Sequence, residues 1–189
     1  MKRAVFLDRD GVLIEDVDLL VRPELIRILP GVAEAITLLK RAGFTLLVVS
    51  NQPVVARGLI DEAEVRALQG EVEVRLGESL DGFYFCPHHP KATLPAYRQV
   101  CDCRKPRAGL LLRAATEHGI YLPASFMVGD RPTDIQAGAR VGCRTIWVET
   151  GRHLDPPIET SEALPPPRPD HVCADLLHAA RWILNGGQR

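Results

Sequence analysis

Residues 4–11 read Ala4-Val5-Phe6-Leu7-Asp8-Arg9-Asp10-Gly11. Four apolar residues, too few for a helix, break off abruptly into two acids and a glycine. That pattern describes a buried strand that delivers carboxylates to its C-terminal end. The same grammar recurs along the chain. Residues 44–49 are apolar and end in Ser50-Asn51-Gln52, residues 83–85 run into Cys86, and residues 125–128 end in Gly129-Asp130. Residues 144–148 and 171–173 supply two further short runs. Helical spacing fills the intervals. Val32, Ile36, Leu38 and Leu39 mark a helix over 31–42 that stops at Gly43. Val65, Leu68, Val72 and Leu76 form one stripe over 61–76, opened by Asp61 with Glu64 three residues on, a capping-box arrangement. Residues 108–118, 134–141 and 175–184 complete the set. Strands alternating with helices predict an α/β fold, a doubly wound and mostly parallel sheet covered on both faces.

The chain has 189 residues, of which 46% are hydrophobic, and this suits a single domain over 1–189. Lys and Arg number 23 against 24 Asp and Glu, so binding to nucleic acid through bulk basicity is not expected. No apolar run approaches the roughly 18 residues that span a bilayer. Asp8 also comes too early for a signal peptide, whose apolar core needs about 7–15 residues. The expectation is a cytoplasmic monomer with neither membrane nor nucleic-acid partner. Residues 155–169 hold six prolines and read as an extended loop.

Ligands of an open parallel sheet bind outside the carboxyl ends of its strands. Asp8, Asp10 and Asp130 would meet there, and three carboxylates that close repel one another unless a cation intervenes. Oxygen-only ligands favour Mg²⁺, which would also take a substrate phosphate. A lone Asp after a strand is commonly a turn residue or a helix cap. Three of them at strand ends, one within Asp-x-Asp-Gly, outweigh that reading.

A second constellation lies in the aperiodic loop 86–106, where Cys86-x-His88 is followed by Cys101-x-Cys103. Three thiolates and an imidazole suit a closed tetrahedral Zn²⁺ site that folds a loop and performs no chemistry. The competing reading makes Cys86 and Cys101 small buried hydrophobes and His88 a loop residue. Cys143 and Cys173 lie in apolar contexts and read as core. Arg104-Lys105 follow the last ligand directly, so a zinc-fixed loop would aim both cations; solvated surface charge is the alternative.

With these motifs in place the sequence resembles the haloacid dehalogenase superfamily over essentially its whole length. The resemblance rests on Asp8-Arg9-Asp10-Gly11-Val12, Ser50 after the second strand, a Lys before a helix, and Gly129-Asp130-x-x-x-Asp134. It implies that Asp8 is a nucleophile forming an aspartyl-phosphate and that Asp10 is the general acid and base. It further implies that Ser50 and Lys105 hold the phosphoryl group, that Asp130 completes the Mg²⁺ site, and that Asp134 orients its neighbours. Asp-Arg-Asp-Gly together with Cys-x-His and Cys-x-Cys-Arg-Lys-Pro is similar to a branch holding heptose bisphosphate phosphatases and histidinol-phosphate phosphatases. The long spacer between His88 and Cys101, Asn51-Gln52 and Ala56-Arg57-Gly58 favour the heptose enzymes, which implies hydrolysis of the 7-phosphate of D-glycero-D-manno-heptose 1,7-bisphosphate. Asp16, Asn51, Gln52, Arg104 and Arg131 are the implied substrate contacts. Pro53-Val54 departs from the Ser-Gly of those enzymes, and Asp16-Val17-Asp18-Leu19 departs from their Asp-His-Gly-Tyr. Gly129-Asp130-Arg131-x-Thr133-Asp134 is nearer the histidinol branch. Histidinol phosphate, a nucleic-acid end and an inactive zinc-stabilised binding module are the competing readings. The intervals after the first two strands are too short for a large cap domain.

Overall fold

The computed structural model describes residues 1–151 and 167–187. One six-stranded sheet is built from β1 (Ala4–Leu7), β2 (Thr45–Asn51), β3 (Gly82–Cys86), β4 (Phe126–Gly129), β5 (Arg144–Val148) and β6 (His171–Cys173). The spatial order is β3-β2-β1-β4-β5-β6, and every pairing is parallel. The helices are α1 (Val32–Arg41), α2 (Pro53–Ala56), α3 (Glu62–Leu76), α4 (Gly109–His118), α5 (Pro132–Arg140) and α6 (Leu176–Leu184). Most of the expected loop 155–169 lies outside the described residues. Its last three positions carry no regular structure.

The period of two along a strand divides the core. From β1, Val5 and Leu7 enter one apolar layer with side chains of α1, α3 and α6. Ala4 and Phe6 enter the opposite layer with side chains of α4 and α5. All four β1 residues are fully buried, and each large one contributes about 1.5–3 kcal/mol by leaving water. Both layers are therefore covered, as the near-continuous apolar strands require.

Register places the chemistry. Leu7 pairs with Val48 on one side and with Val128 on the other, so β1 and β4 end within a residue of each other while β2 runs on to Asn51. The chain runs β1, β2, β3 outward in one direction, then β4, β5, β6 in the other, so the order reverses between β1 and β4. Asp8, Ser50 and Asp130 stand on that rim, at the crevice where open α/β sheets take their ligands. Among the described residues, no cap stands over it.

Candidate active site

Asp8 is fixed by its backbone before its side chain acts. Its N–H donates to Val128 O at 3.0 Å, and the Arg9 carbonyl then accepts from Leu13 at 2.9 Å and Ile14 at 3.2 Å, closing a tight turn. Gly11 occupies φ +79°, a region that a side chain disfavours, and a Cβ there would lie 2.5 Å from Asp130 Oδ2. The turn that carries Asp8 and the end of β4 thus touch through a glycine.

Lys105 arrives from the cysteine-rich loop, buried, with its ammonium set among three oxygens. Its Nζ lies 3.1 Å from Asp8 Oδ1 and 2.6 Å from Asp134 Oδ1, and donates to Val49 O at 2.8 Å. Asn51 holds the Lys105 backbone from both sides: its Oδ1 accepts the Lys105 N–H at 3.0 Å, and its Nδ2 donates to the Lys105 carbonyl at 3.1 Å. Burial alone would lower the Lys105 pKa, but Asp134 and Asp8 reverse this and raise it. Burial pushes the Asp8 carboxyl up and Lys105 draws it back down, the net being upward. Asn51 was expected at the substrate; its amide instead ties Lys105 to β2.

Oxygens of Asp8, Asp130 and Asp134 lie within 4.8 Å of one another, all three residues buried. Like charges this close favour a cation between them, and an all-oxygen set suits Mg²⁺. Asp134 has both oxygens engaged, one by Lys105 and one by the Arg131 N–H at 3.1 Å. Asp8 and Asp130 are therefore the carboxylates that would hold the ion, with Asp134 orienting Lys105 and the start of α5. The side chain of Asp10, expected in the Mg²⁺ set, is not part of this group. Arg9 Nη2 holds both its oxygens, at 3.1 and 3.0 Å, and Gln52 Nε2 donates to Oδ2 at 2.8 Å. Residues 8 and 10 share the rim, but the turn between them sends their carboxylates to different partners. Burial raises the Asp10 carboxyl and Arg9 opposes it, the net being upward, the direction that favours a group able to carry a proton.

Gln52 is 2% exposed, and its side chain is consumed by Asp10, Ser50 and Arg9. It has no face left for substrate, in contrast to the expectation. Arg131 is half-buried, with Nη2 2.7 Å from Asp16 Oδ2, so these two expected substrate contacts form one bridge at the mouth of the site. Arg104 Nη1 donates to His88 O at 3.2 Å, which folds it onto the metal-type loop.

That loop brings Cys86, His88, Cys101 and Cys103 together. Cys103 Sγ lies 3.1 Å from both Cys86 Sγ and Cys101 Sγ, Cys86 and Cys101 are 3.5 Å apart, and His88 Nδ1 is 3.4 Å from Cys103 Sγ. Tetrahedral sulfurs at about 2.3 Å from zinc sit about 3.8 Å apart, so the donors converge to within about 0.7 Å of that cage, on the tight side. The neighbouring Cys86 thiol, with Cys101 and His88, holds Cys103 down to about 5, while Cys103 and burial push Cys86 up. The donor set fits Zn²⁺ with no position left for water. Cys143 is buried in the α4/α5 layer, and Cys173 packs partly buried against the other.

The sheet order, the rim carboxylates and the buried lysine define a haloacid-dehalogenase-type hydrolase. The HAD-hydrolase-like family model matches residues 102–179. The D-glycero-beta-D-manno-heptose-1,7-bisphosphate 7-phosphatase of Escherichia coli K12 is 38% identical over 187 residues, which cover 96% of this chain and 88% of that protein. The D-glycero-D-manno-heptose-1,7-bisphosphate 7-phosphatase of Thermosynechococcus vestitus is 38% identical, covering 95% and 94%. A crystal structure of D,D-heptose 1,7-bisphosphate phosphatase from B. bronchiseptica, complexed with magnesium and phosphate, superposes with a TM-score of 0.82 at 33% identity, covering 98% and 99%. The chain belongs to the family of heptose 1,7-bisphosphate 7-phosphatases within this superfamily.

Proposed function

We infer that this chain is a Mg²⁺-dependent phosphatase that removes the 7-phosphate of D-glycero-D-manno-heptose 1,7-bisphosphate through an aspartyl-phosphate on Asp8. The observation that carries the chemistry is the position of Asp8, with one oxygen held by Lys105 and the Arg9 N–H and its carboxylate beside Asp130. Asp8 attacks phosphorus, the new Oδ–P bond forms, and the bond from phosphorus to the sugar oxygen breaks. Asp10 passes its proton to the departing alkoxide. It then takes a proton from the water that attacks phosphorus, and Asp8 and inorganic phosphate are released. Each half is easier than direct hydrolysis in one step. Ser50 Oγ accepts from Gln52, which leaves the hydroxyl proton to donate to a phosphoryl oxygen. Lys105, buried and held among three oxygens, acts as a fixed positive charge rather than a mobile ligand. Asp8 and Asp130 would hold Mg²⁺, which would supply Lewis-acid charge to the phosphoryl group. Zn²⁺ on Cys86, His88, Cys101 and Cys103 is structural.

The proposal extends to a monomeric cytoplasmic enzyme, one domain over 1–189, acting on a small phosphorylated sugar without nucleic-acid or membrane partners. No described helix is long and apolar enough to cross a membrane. We assign the sugar contacts to Arg104 and to the Arg131–Asp16 bridge. The test is product analysis of the purified protein with heptose 1,7-bisphosphate and histidinol phosphate side by side. Faster release of the 7-phosphate supports the reading, and dominant histidinol-phosphate turnover discards it. Asp8→Asn is expected to stay folded and lose turnover entirely; activity in that variant would refute the covalent route.

A further inference from the structure

The side chains around Asp10 form a closed ring that the reaction itself does not require. Arg9 is 1% exposed, a bare guanidinium in the interior. Its Nη2 reaches Asp10 Oδ1 at 3.1 Å, Asp10 Oδ2 at 3.0 Å and Gln52 Oε1 at 2.8 Å, and its Nε reaches Asp10 Oδ1 at 3.3 Å. Gln52 Nε2 returns to Asp10 Oδ2 at 2.8 Å and to Ser50 Oγ at 2.9 Å.

Each contact constrains the next. Arg9 can only donate, so the oxygen of the Gln52 amide must face it, and the NH₂ must face Asp10 and Ser50. The Gln52 backbone N–H is bound to Cys86 O at 2.8 Å, which anchors the ring to the end of β3. Among the described residues, Asp10 is the carboxylate within ion-pair reach of Arg9. A buried guanidinium cannot give up its counter-ion cheaply. Asp10 keeps 23% of its side chain exposed toward the crevice, yet both its oxygens are held from behind. Neither Arg9 nor Gln52 offers a polar surface to a bound sugar.

This builds on the reading above, in which Asp10 carries the proton of the leaving alcohol. We propose that Arg9 and Gln52 are positioning residues that lock the Asp10 carboxyl in the one orientation from which it protonates the leaving oxygen. Their contribution therefore scales with the need for that proton. It is large for a sugar alkoxide and small for a p-nitrophenolate, which departs without one.

The experiment compares Arg9→Met and Gln52→Met with the parent enzyme, each loaded with Mg²⁺. Rapid-quench single turnovers are followed on a sugar monophosphate and on p-nitrophenyl phosphate. For Arg9→Met the sugar release rate is expected to fall about 10²-fold while the p-nitrophenolate burst stays within about threefold of the parent, because a misplaced proton donor slows the step that uses it; Gln52→Met, which also loosens Ser50, should slow both esters but the sugar about 10-fold more. Arg9→Lys, which keeps the charge but not the fork, should recover part of the sugar rate. An equal fall for both esters, or an unchanged sugar rate, overturns the proposal, since loss of fold or of phosphoryl binding would not discriminate between leaving groups. Gln52→Met decides the matter if Arg9→Met fails to fold. Acid-quench labelling of Asp8 in the parent separates the two claims: absence of the phosphoryl-aspartate would sink the covalent reading, whereas label with non-selective variants would sink only the positioning role.

Discussion

Replacing Lys105 by Met keeps most of the side-chain stem and removes the ammonium. Two buried carboxylates, Asp8 and Asp134, then lose the cation at 3.1 and 2.6 Å, with side chains 8% and 1% exposed. Removing one partner of a buried charge pair costs about 3–5 kcal/mol. A domain of this size loses about 2–4 °C of melting temperature per kcal/mol, so a fall of about 6–20 °C is expected. The pH dependence has a definite sign. Burial already lifts the folded-state Asp8 pKa above its ordinary 3.8, and Lys105 opposes that rise. Without Lys105 the folded-state value climbs further, so protonation favours the folded variant. The deficit is full above the raised folded-state value and shrinks as pH falls through it. Mg²⁺ should also raise the melting temperature of the variant more than that of the parent, since an ion bound only by the native state stabilises it by mass action. The assay is thermal unfolding at several pH values with and without Mg²⁺. A variant melting within about 2 °C of the parent, with the same response to Mg²⁺, would refute this account of the buried lysine.

Three further outcomes follow from the same structure. Cys101→Ser should lower bound zinc below one ion per chain and cut turnover by releasing Arg104 and Lys105, measured by chelator titration alongside phosphate release. Gly11→Ala should cost about 10²-fold in turnover, because a Cβ 2.5 Å from Asp130 Oδ2 must push that carboxylate aside; kinetics at saturating Mg²⁺ checks it. Asp61→Ala removes the α3 cap, in which Asp61 Oδ1 accepts the Glu64 N–H at 2.8 Å; stability should fall by about 1 kcal/mol with turnover unchanged.

The fold was legible where periodicity is strong. The capping box expected at Asp61 and Glu64 is present with both of its hydrogen bonds. α5 begins two residues before the expected start because Pro132 opens it, a position where proline costs nothing. α2 escaped notice because Pro53-Val54-Val55 has β-branched character; its turn closes through the Arg57 N–H to Pro53 O. Asp8 and Asp130 could be read directly, since a strand end dictates where the next side chain emerges. Asp10 and Gln52 could not. Two residues past a strand the backbone turns, and only tertiary contacts decide which way a carboxylate or an amide faces. Arg9 carried a faint signal, a cation between two acids, but such triplets are ordinary on surfaces, and its burial becomes visible only in the packed chain.

The loop that carries Lys105 is gripped at both ends of residues 89–100: by the cysteine and histidine cage on either side and, just beyond, by the amide of Asn51. Its interior meets the rest of the chain through Leu94 N–H to Ala56 O, Tyr97 Oη to Glu62 and the packing of Tyr97 against the Val54, Val55 and Val65 cluster. Such an insert is a replaceable cassette. Its length and residue choice can drift to suit a new sugar while the ammonium beside Asp8 keeps its station, so selectivity and reactivity are free to evolve apart.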